Sequence, residues 1–256
     1  MTDPYAFFVQ RILGTGNRVA PRGLPTTEVL GATVQFPPGR VLKRRGFNTS
    51  LALAESLLLV AGEMDTDLIR TVAPRVDPAL FDRKSSYGPR VTDQVPGIVK
   101  ALAVDPFTRH AVLLVENDVT EVGTHALPCT VAVQFLLRRG ALNAVVFMRS
   151  SDAAWGLPYD LFQFSLLTAC VAASVGSVRE EVVLPGSVQF CLGSAHVYDA
   201  SKDVALRSVW YPRLSVDLGP TRVGLFWHDV KGWAKGQLTL LRLGQSKNGR
   251  VQVLDD

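Results

Sequence analysis

Between Pro128 and Val175 the chain reads as three elements in succession: TVAVQFLLRR, then NAVVFMRS across a turn at Gly140, then the apolar run LFQFSLLTACVAASV from Leu161 to Val175. Alternation in the first two predicts paired strands. The third is long enough to be a helix and so apolar that it has to be covered on most of its surface. A hairpin followed by a buried helix calls for a sheet with a helix layer against it.

The remaining pattern fits that frame. Tyr5, Phe8, Val9 and Ile12 recur at helical spacing over Pro4 to Leu13, behind Thr2 or Asp3 as cap. Asn48 or Thr49 caps a second helix, SLALAESLLLVAG, which ends at Gly62, and Gly97 to Val104 is a third. Strands are expected at TTEVLGATVQF, HAVLLVEN and GSVQFCLGSAHVY, and a late pair at RVGLFWHDV and LTLLRLG. Asp65 to Pro96, rich in proline and charge, reads as loops or short helices. No repeat or linker divides the chain, so residues 1–256 are expected to form one α+β domain, a mixed sheet covered by helices.

Composition narrows the partners. With 256 residues and 47% hydrophobic, the chain can bury one sizeable core. Its net charge of +4 is spread along the sequence with no polybasic run, which favours a small phosphorylated ligand over a nucleic-acid polymer. Cys129, Cys170 and Cys191 are odd in number and lack CxxC spacing, so neither a disulfide framework nor a thiolate metal site is expected. A reducing cytoplasm suits them, the host's if the source is viral. The first residues lack the form of a signal peptide, and the apolar stretches look too short to span a bilayer, so no membrane is expected.

Two residues stand out chemically. Cys129 follows Pro128 at the mouth of a strand with Arg149 across the turn, and a guanidinium there would favour the thiolate, the attacking form. The alternative is a buried strand-end thiol, as expected of Cys170 and Cys191. Glu55 sits inside ALAESLLLV, where it can hardly face solvent without exposing leucines. It is either paired with Arg44 or Arg45, or a pocket carboxyl whose raised pKa lets it pass protons near neutrality.

Three ordered motifs, PCTVAVQF, RSSDAAWGLPYD and GSAHVY, resemble the thymidylate synthase family, most closely its cytidylate and deoxycytidylate 5-hydroxymethylase branch. Weaker likeness runs through GNRVAPRG, LALAESLLLVAGEMD and DPFTRHAVLLVEN, so the resemblance covers roughly residues 5–200. It implies a thymidylate synthase-like fold whose sheet face is used to form a homodimer, with a pyrimidine nucleoside monophosphate and 5,10-methylenetetrahydrofolate as substrates and no metal. Residue by residue, it makes Cys129 the nucleophile on pyrimidine C6 and Glu55 the carboxylate organising proton transfer. Arg22, Arg149 and Ser150 become phosphate ligands, and Arg109 the arginine lent to the partner's phosphate. His196 and Tyr198 hold the sugar hydroxyl, Gln134 helps fix the ligand, and Asp152 lies close to base and folate.

Asp160 stands where the uracil-acting members carry asparagine. An ionised carboxylate is a pure acceptor and suits the 4-amino group and a protonated N3 of cytosine; the alternative is a cap for the helix that follows. The chain also departs from the family at Thr130, His110 and Ser194. It has no tryptophan before Trp155, and it ends RVQVLDD where an apolar tail is familiar. These departures disfavour hydride transfer, which needs water kept away, and favour water as acceptor. The resemblance thus implies a (deoxy)cytidylate 5-hydroxymethyltransferase. A folate-dependent C5-methyltransferase acting on (deoxy)cytidylate or dUMP, or a non-catalytic nucleotide- or RNA-binding relative, are the alternatives.

Overall fold

The computed structural model describes residues 3–39, 41–43, 46–76, 86–115, 127–207, 209–211, 213–216, 226–243 and 251–254. The chain opens with α1 (Pro4–Thr15), β1 (Asn17–Val19), β2 (Thr26–Phe36), β3 (Val41–Lys43), α2 (Thr49–Ala61) and α3 (Thr66–Val72). It continues with α4 (Gly88–Val91), α5 (Val95–Val104), β4 (Val112–Leu114), β5 (Thr130–Arg138), β6 (Ala141–Asp152) and α6 (Gly156–Arg179). Then follow β7 (Leu184–Tyr198), α7 (Lys202–Leu206), β8 (Val209–Tyr211), β9 (Arg213–Val216), α8 (Trp227–Arg242) and β10 (Val251–Leu254).

Local chemistry accounts for the ends of the helices. The Asp3 carboxylate accepts from the Tyr5 and Ala6 amides at the start of α1, and Asn48 accepts from Leu51 N–H at the start of α2. Gly62 closes α2 at φ 75°, where any side chain would be strained. Arg139 and Gly140, both at positive φ, make the tight β5–β6 turn.

Six strands form one mixed sheet in the order β1-β2-β7-β6-β5-β4. Neighbours are antiparallel except β6 and β7, which run parallel because the long helix α6 carries the chain back between them. One face is covered by α6, with α2 and α5 behind it, and Phe135, Val146 and Phe190 lie fully buried beneath. Val112, Leu114 and Phe147 on the opposite face are exposed, in register with Gln134, Val145 and Cys191.

Two expectations are corrected here. The late strands expected at RVGLFWHDV and LTLLRLG are replaced by α8, residues 222–225 of the first lying outside the described residues. Trp227, Val230, Ala234, Leu238 and Leu241 are buried against α2 and α6 at intervals of a helical turn, so the period that matters is 3.6, not 2. The apolar stretches are not all too short for a bilayer either. With 24 residues α6 is long and apolar enough, but 78% of its most apolar window is buried inside the protein, which makes it a core helix.

Candidate active site

Where β6 and α6 meet, four side chains from four segments converge. Cys129, just before β5, is half-buried, its sulfur 3.8 Å from the Ser150 hydroxyl. Arg149 holds the Cys129 segment from behind: its backbone N–H donates to Cys129 O at 2.8 Å, and its guanidinium to Pro128 O at 3.1 Å and Leu127 O at 3.0 Å. The guanidinium is thus engaged by the Pro128 and Leu127 carbonyls, and the sulfur's neighbour is the Ser150 hydroxyl.

Asp160 lies within the first turns of α6, which begins at Gly156, so it does not cap the helix and that alternative is set aside. Burial pushes its carboxyl up to about 7, with the Ser151 hydroxyl pulling the other way. Glu55, on α2, is driven to about 8 by burial and then by the charge of Asp160. Both residues are half-buried by surface area yet densely surrounded by protein. Near neutral pH this pair holds protons it can donate, where the sequence alone suggested an ionised Asp160. Arg44 and Arg45, the possible partners of Glu55, lie outside the described residues.

Tyr87 completes the cluster and was not singled out from sequence. Its hydroxyl accepts from the Thr130 amide and hydroxyl, each at 3.3 Å, and its ring stacks on Phe164. Burial first, then the charges of Asp160 and Cys129, keep the phenol protonated. It therefore lies within electrostatic reach of both Cys129 and Asp160 with its proton retained. The one sequence signal was the following Gly88, where an added Cβ would fall 2.5 Å from the Leu58 carbonyl: the Tyr-Gly step is seated against α2.

A second group lies along the sheet. Glu28, His196 and Asp152 occupy one cross-strand row over β2, β7 and β6, and Ser194 pairs with Ser150 beside it. His196 packs edge-on to Tyr198 at 5.1 Å, and Arg22 donates to the Tyr198 hydroxyl at 3.4 Å. Arg22 is at φ 54°, a conformation costing about 1 kcal/mol or more in a side-chain-bearing residue and common at binding sites. Gly193 permits the close approach of β7, since a Cβ there would meet the Arg149 carbonyl at 2.8 Å. Asp152 accepts from the Ala154 amide at 2.8 Å, which turns the chain toward α6.

Two candidates lie away from this cluster. Gln134 is on the open face of the sheet, its amide donating to Arg109 O at 2.9 Å, because a bulge between Thr130 and Ala132 shifts the alternation of β5. It braces the Arg109 turn and does not face Glu55 or Asp160. Arg109 itself is exposed on the turn before β4.

The raised carboxyls make stability pH-dependent. Between the ordinary 4.5 of Glu55 and its folded value of about 8, the folded chain retains a proton that the unfolded chain releases, so stability falls as pH rises through that window. Asp160 adds the same sign up to about 7. Glu55→Gln is expected to raise stability at pH 8 by roughly 1–3 kcal/mol, about 2–4 °C in Tm per kcal/mol, and to flatten the decline. Thermal melts from pH 5 to 9 check this; equal slopes in both proteins would mean that Glu55 is solvated.

This chain belongs to the thymidylate synthase family: the family model described as thymidylate synthase matches residues 75–211. Thymidylate synthase 1/2 of Encephalitozoon cuniculi is 36% identical over 234 residues, covering 76% of this chain and 77% of its own length. Deoxyuridylate hydroxymethyltransferase of Bacillus phage SP01 is 29% identical over 224 residues, 77% of this chain but 57% of the phage protein. Thymidylate synthase of Herpesvirus ateles is 34% identical over 116 residues, 45% of this chain and 38% of that protein. The chain thus spans little more than half the length of the phage relative, and less of the herpesvirus one.

Proposed function

We propose that this chain transfers a one-carbon unit from 5,10-methylenetetrahydrofolate to C5 of dCMP or CMP and completes the reaction with water, giving the 5-hydroxymethyl nucleotide. The observation that carries the reading is the buried Asp160 carboxyl, held near pKa 7 beside Glu55. As Cys129 adds to C6, electron density moves toward N3 of cytosine, and Asp160 can hand its proton to that nitrogen. The resulting carboxylate then faces two donors, N3–H and the 4-amino group. Uracil would offer it one donor and the O4 acceptor, so the preference grows in the addition intermediate, where it affects rate.

Arg22, Arg149 and Ser150 suit the 5′-phosphate through charge-assisted bonds. Glu55 and the Tyr87 hydroxyl are the groups available to move protons between C5 and water. For the folate, Asp152 and the exposed Trp155, three residues on, offer a carboxylate and a ring face of the kind a pterin requires. When bound it supplies the carbon; the chain supplies addition, orientation and proton transfer.

The hydroxymethyltransferase name of the phage relative supports water as acceptor, although that protein's name carries a uracil nucleotide. The identity with the Encephalitozoon thymidylate synthase favours a second reading, methylation of dUMP. Incubation with methylenetetrahydrofolate and each of dCMP, CMP and dUMP, with mass analysis of products, separates the two. Hydroxymethylation leaves tetrahydrofolate; consumption of dUMP alone with release of dihydrofolate would overturn the proposal.

The same reading includes a homodimer. The exposed Val112, Leu114 and Phe147 give the open sheet face an apolar patch, and the Gln134–Arg109 bond ties the Arg109 turn to its edge. A second copy seated there can receive Arg109 at its phosphate. Mixing Arg109→Ala subunits with Cys129→Ala subunits is expected to restore up to about a quarter of wild-type activity, since mixed dimers carry one intact site. Full activity in a monomer, measured by sedimentation, would exclude the arrangement.

A further inference from the structure

The sheet row beside the cleft holds a hydrogen-bond chain with a fixed direction. The Ser194 hydroxyl donates to Glu28 Oε1 at 2.5 Å, and its own oxygen, Ser194 Oγ, stands 3.4 Å from His196 Nδ1. A serine hydroxyl has one hydrogen. With that hydrogen on the Glu28 carboxylate, only lone pairs face the imidazole, so Nδ1 has to carry the ring proton and Nε2 is left as a bare acceptor.

The ring is kept neutral in this position. Burial lowers its pKa, against an opposing pull from Glu28 and the Ser194 carbonyl, and Arg22 adds to the lowering. Its plane is held by the edge-on packing against Tyr198, at an interplanar angle of 83°. The hydrogen-bonded link from Glu28 to His196 runs through Ser194, from the neighbouring strand, where the register sets Glu28 and His196 opposite each other.

We propose that Glu28 is a positioning residue which, through the Ser194 hydroxyl, holds His196 as its Nδ1–H tautomer, so that Nε2 accepts the O–H of a nucleotide sugar hydroxyl. The sugar part rests on the nucleotide reading above; the tautomer part stands on the bonds within the protein alone. A glutamine at position 28 breaks the logic without removing the side chain. Its amide N–H can donate to Ser194 Oγ, which frees the serine hydrogen to point at Nδ1 and favours the Nε2–H tautomer.

The test begins with two-bond 1H–15N correlation spectra of 15N-histidine-labelled protein near pH 8, without nucleotide. Wild type is expected to show His196 protonated on Nδ1, and both Glu28→Gln and Ser194→Ala a shift toward Nε2–H. An Nε2–H ring in wild type, or an unchanged ring in both variants, overturns the proposal. Kinetics read the consequence: Glu28→Gln should raise KM for the nucleotide about ten-fold with kcat nearly unchanged, and leave affinity for the 2′,3′-dideoxy nucleotide as in wild type. Equal weakening toward both nucleotides would mark Glu28 as merely structural and sink the assignment. If wild type turns over no pyrimidine nucleotide, it is the functional reading that fails, while the spectra still decide the role of Glu28.

Discussion

Cys129→Ser is expected to lose turnover by on the order of a thousand-fold or more, about 4 kcal/mol of barrier, while nucleotide affinity stays within a few-fold of wild type. A hydroxyl is far less nucleophilic than a thiol at neutral pH, and the addition to C6 starts every later step in the proposed reaction. Binding should survive because Arg149 anchors the segment through the Leu127 and Pro128 carbonyls and the Cys129 backbone, none of which involves the sulfur. The other cysteines provide the control. Cys170 is fully buried in α6 with its thiol pushed up to about 12 by burial, and Cys191 faces the open side of the sheet beside Gln189. Serine at either position should alter stability at most, by about 1–3 kcal/mol at the buried one. Single-turnover kinetics and calorimetric titration on the three variants separate these outcomes. Undiminished turnover in Cys129→Ser would reduce that thiol to core packing.

The sheet and its buried helices were legible because their signals are local. Caps such as Asp3 and Asn48, the αL glycine at Gly62 and the alternation of β5 and β6 each follow from a few neighbouring residues. Helix α8 was not, because in the two short windows read as strands its tryptophan, valine and threonine are good strand formers. Only over the full 16 residues does the spacing from Trp227 to Leu241 declare a helix. The cleft divides the same way. Glu55 was visible as a carboxylate within an apolar run and Cys129 as a thiol after a proline at a strand mouth, while Asp160 stood out through the family resemblance. Gln134 was misplaced in expectation because one bulge, invisible in sequence, turns it to the other face. Tyr87 was missed because it comes from a segment with no period at all, and its role arises only from what the fold sets around it. Glu28 is a further case, since a strand neighbour joins His196 through register and not through spacing.

Asp160→Asn is the variant that decides which base the cleft takes. The amide keeps the size of the carboxyl and loses its proton, so the step proposed for cytosine, transfer to N3 during Cys129 addition, has no donor of comparable acidity. Turnover of dCMP or CMP is expected to fall by roughly ten- to a thousand-fold, about 1.4 to 4 kcal/mol. Exchange of the C5 proton of dUMP should become detectable, because an amide can donate to O4 and accept from N3–H in one orientation. The pH profile should change with it. In wild type, cytosine turnover should decline above pH 7 as the proton leaves Asp160, whose folded value is about 7, and that limb should be absent in the asparagine protein. Glu55 gains as well: with the neighbouring charge gone, its own value should move down from about 8, although burial, the larger cause, remains. Tritium release from C5 is the measurement of choice, since it reads the addition step and is blind to whether methyl or hydroxymethyl follows. If wild type already prefers dUMP, or if the asparagine variant leaves preference and pH limb unchanged, Asp160 does not read the base and the cytosine assignment falls.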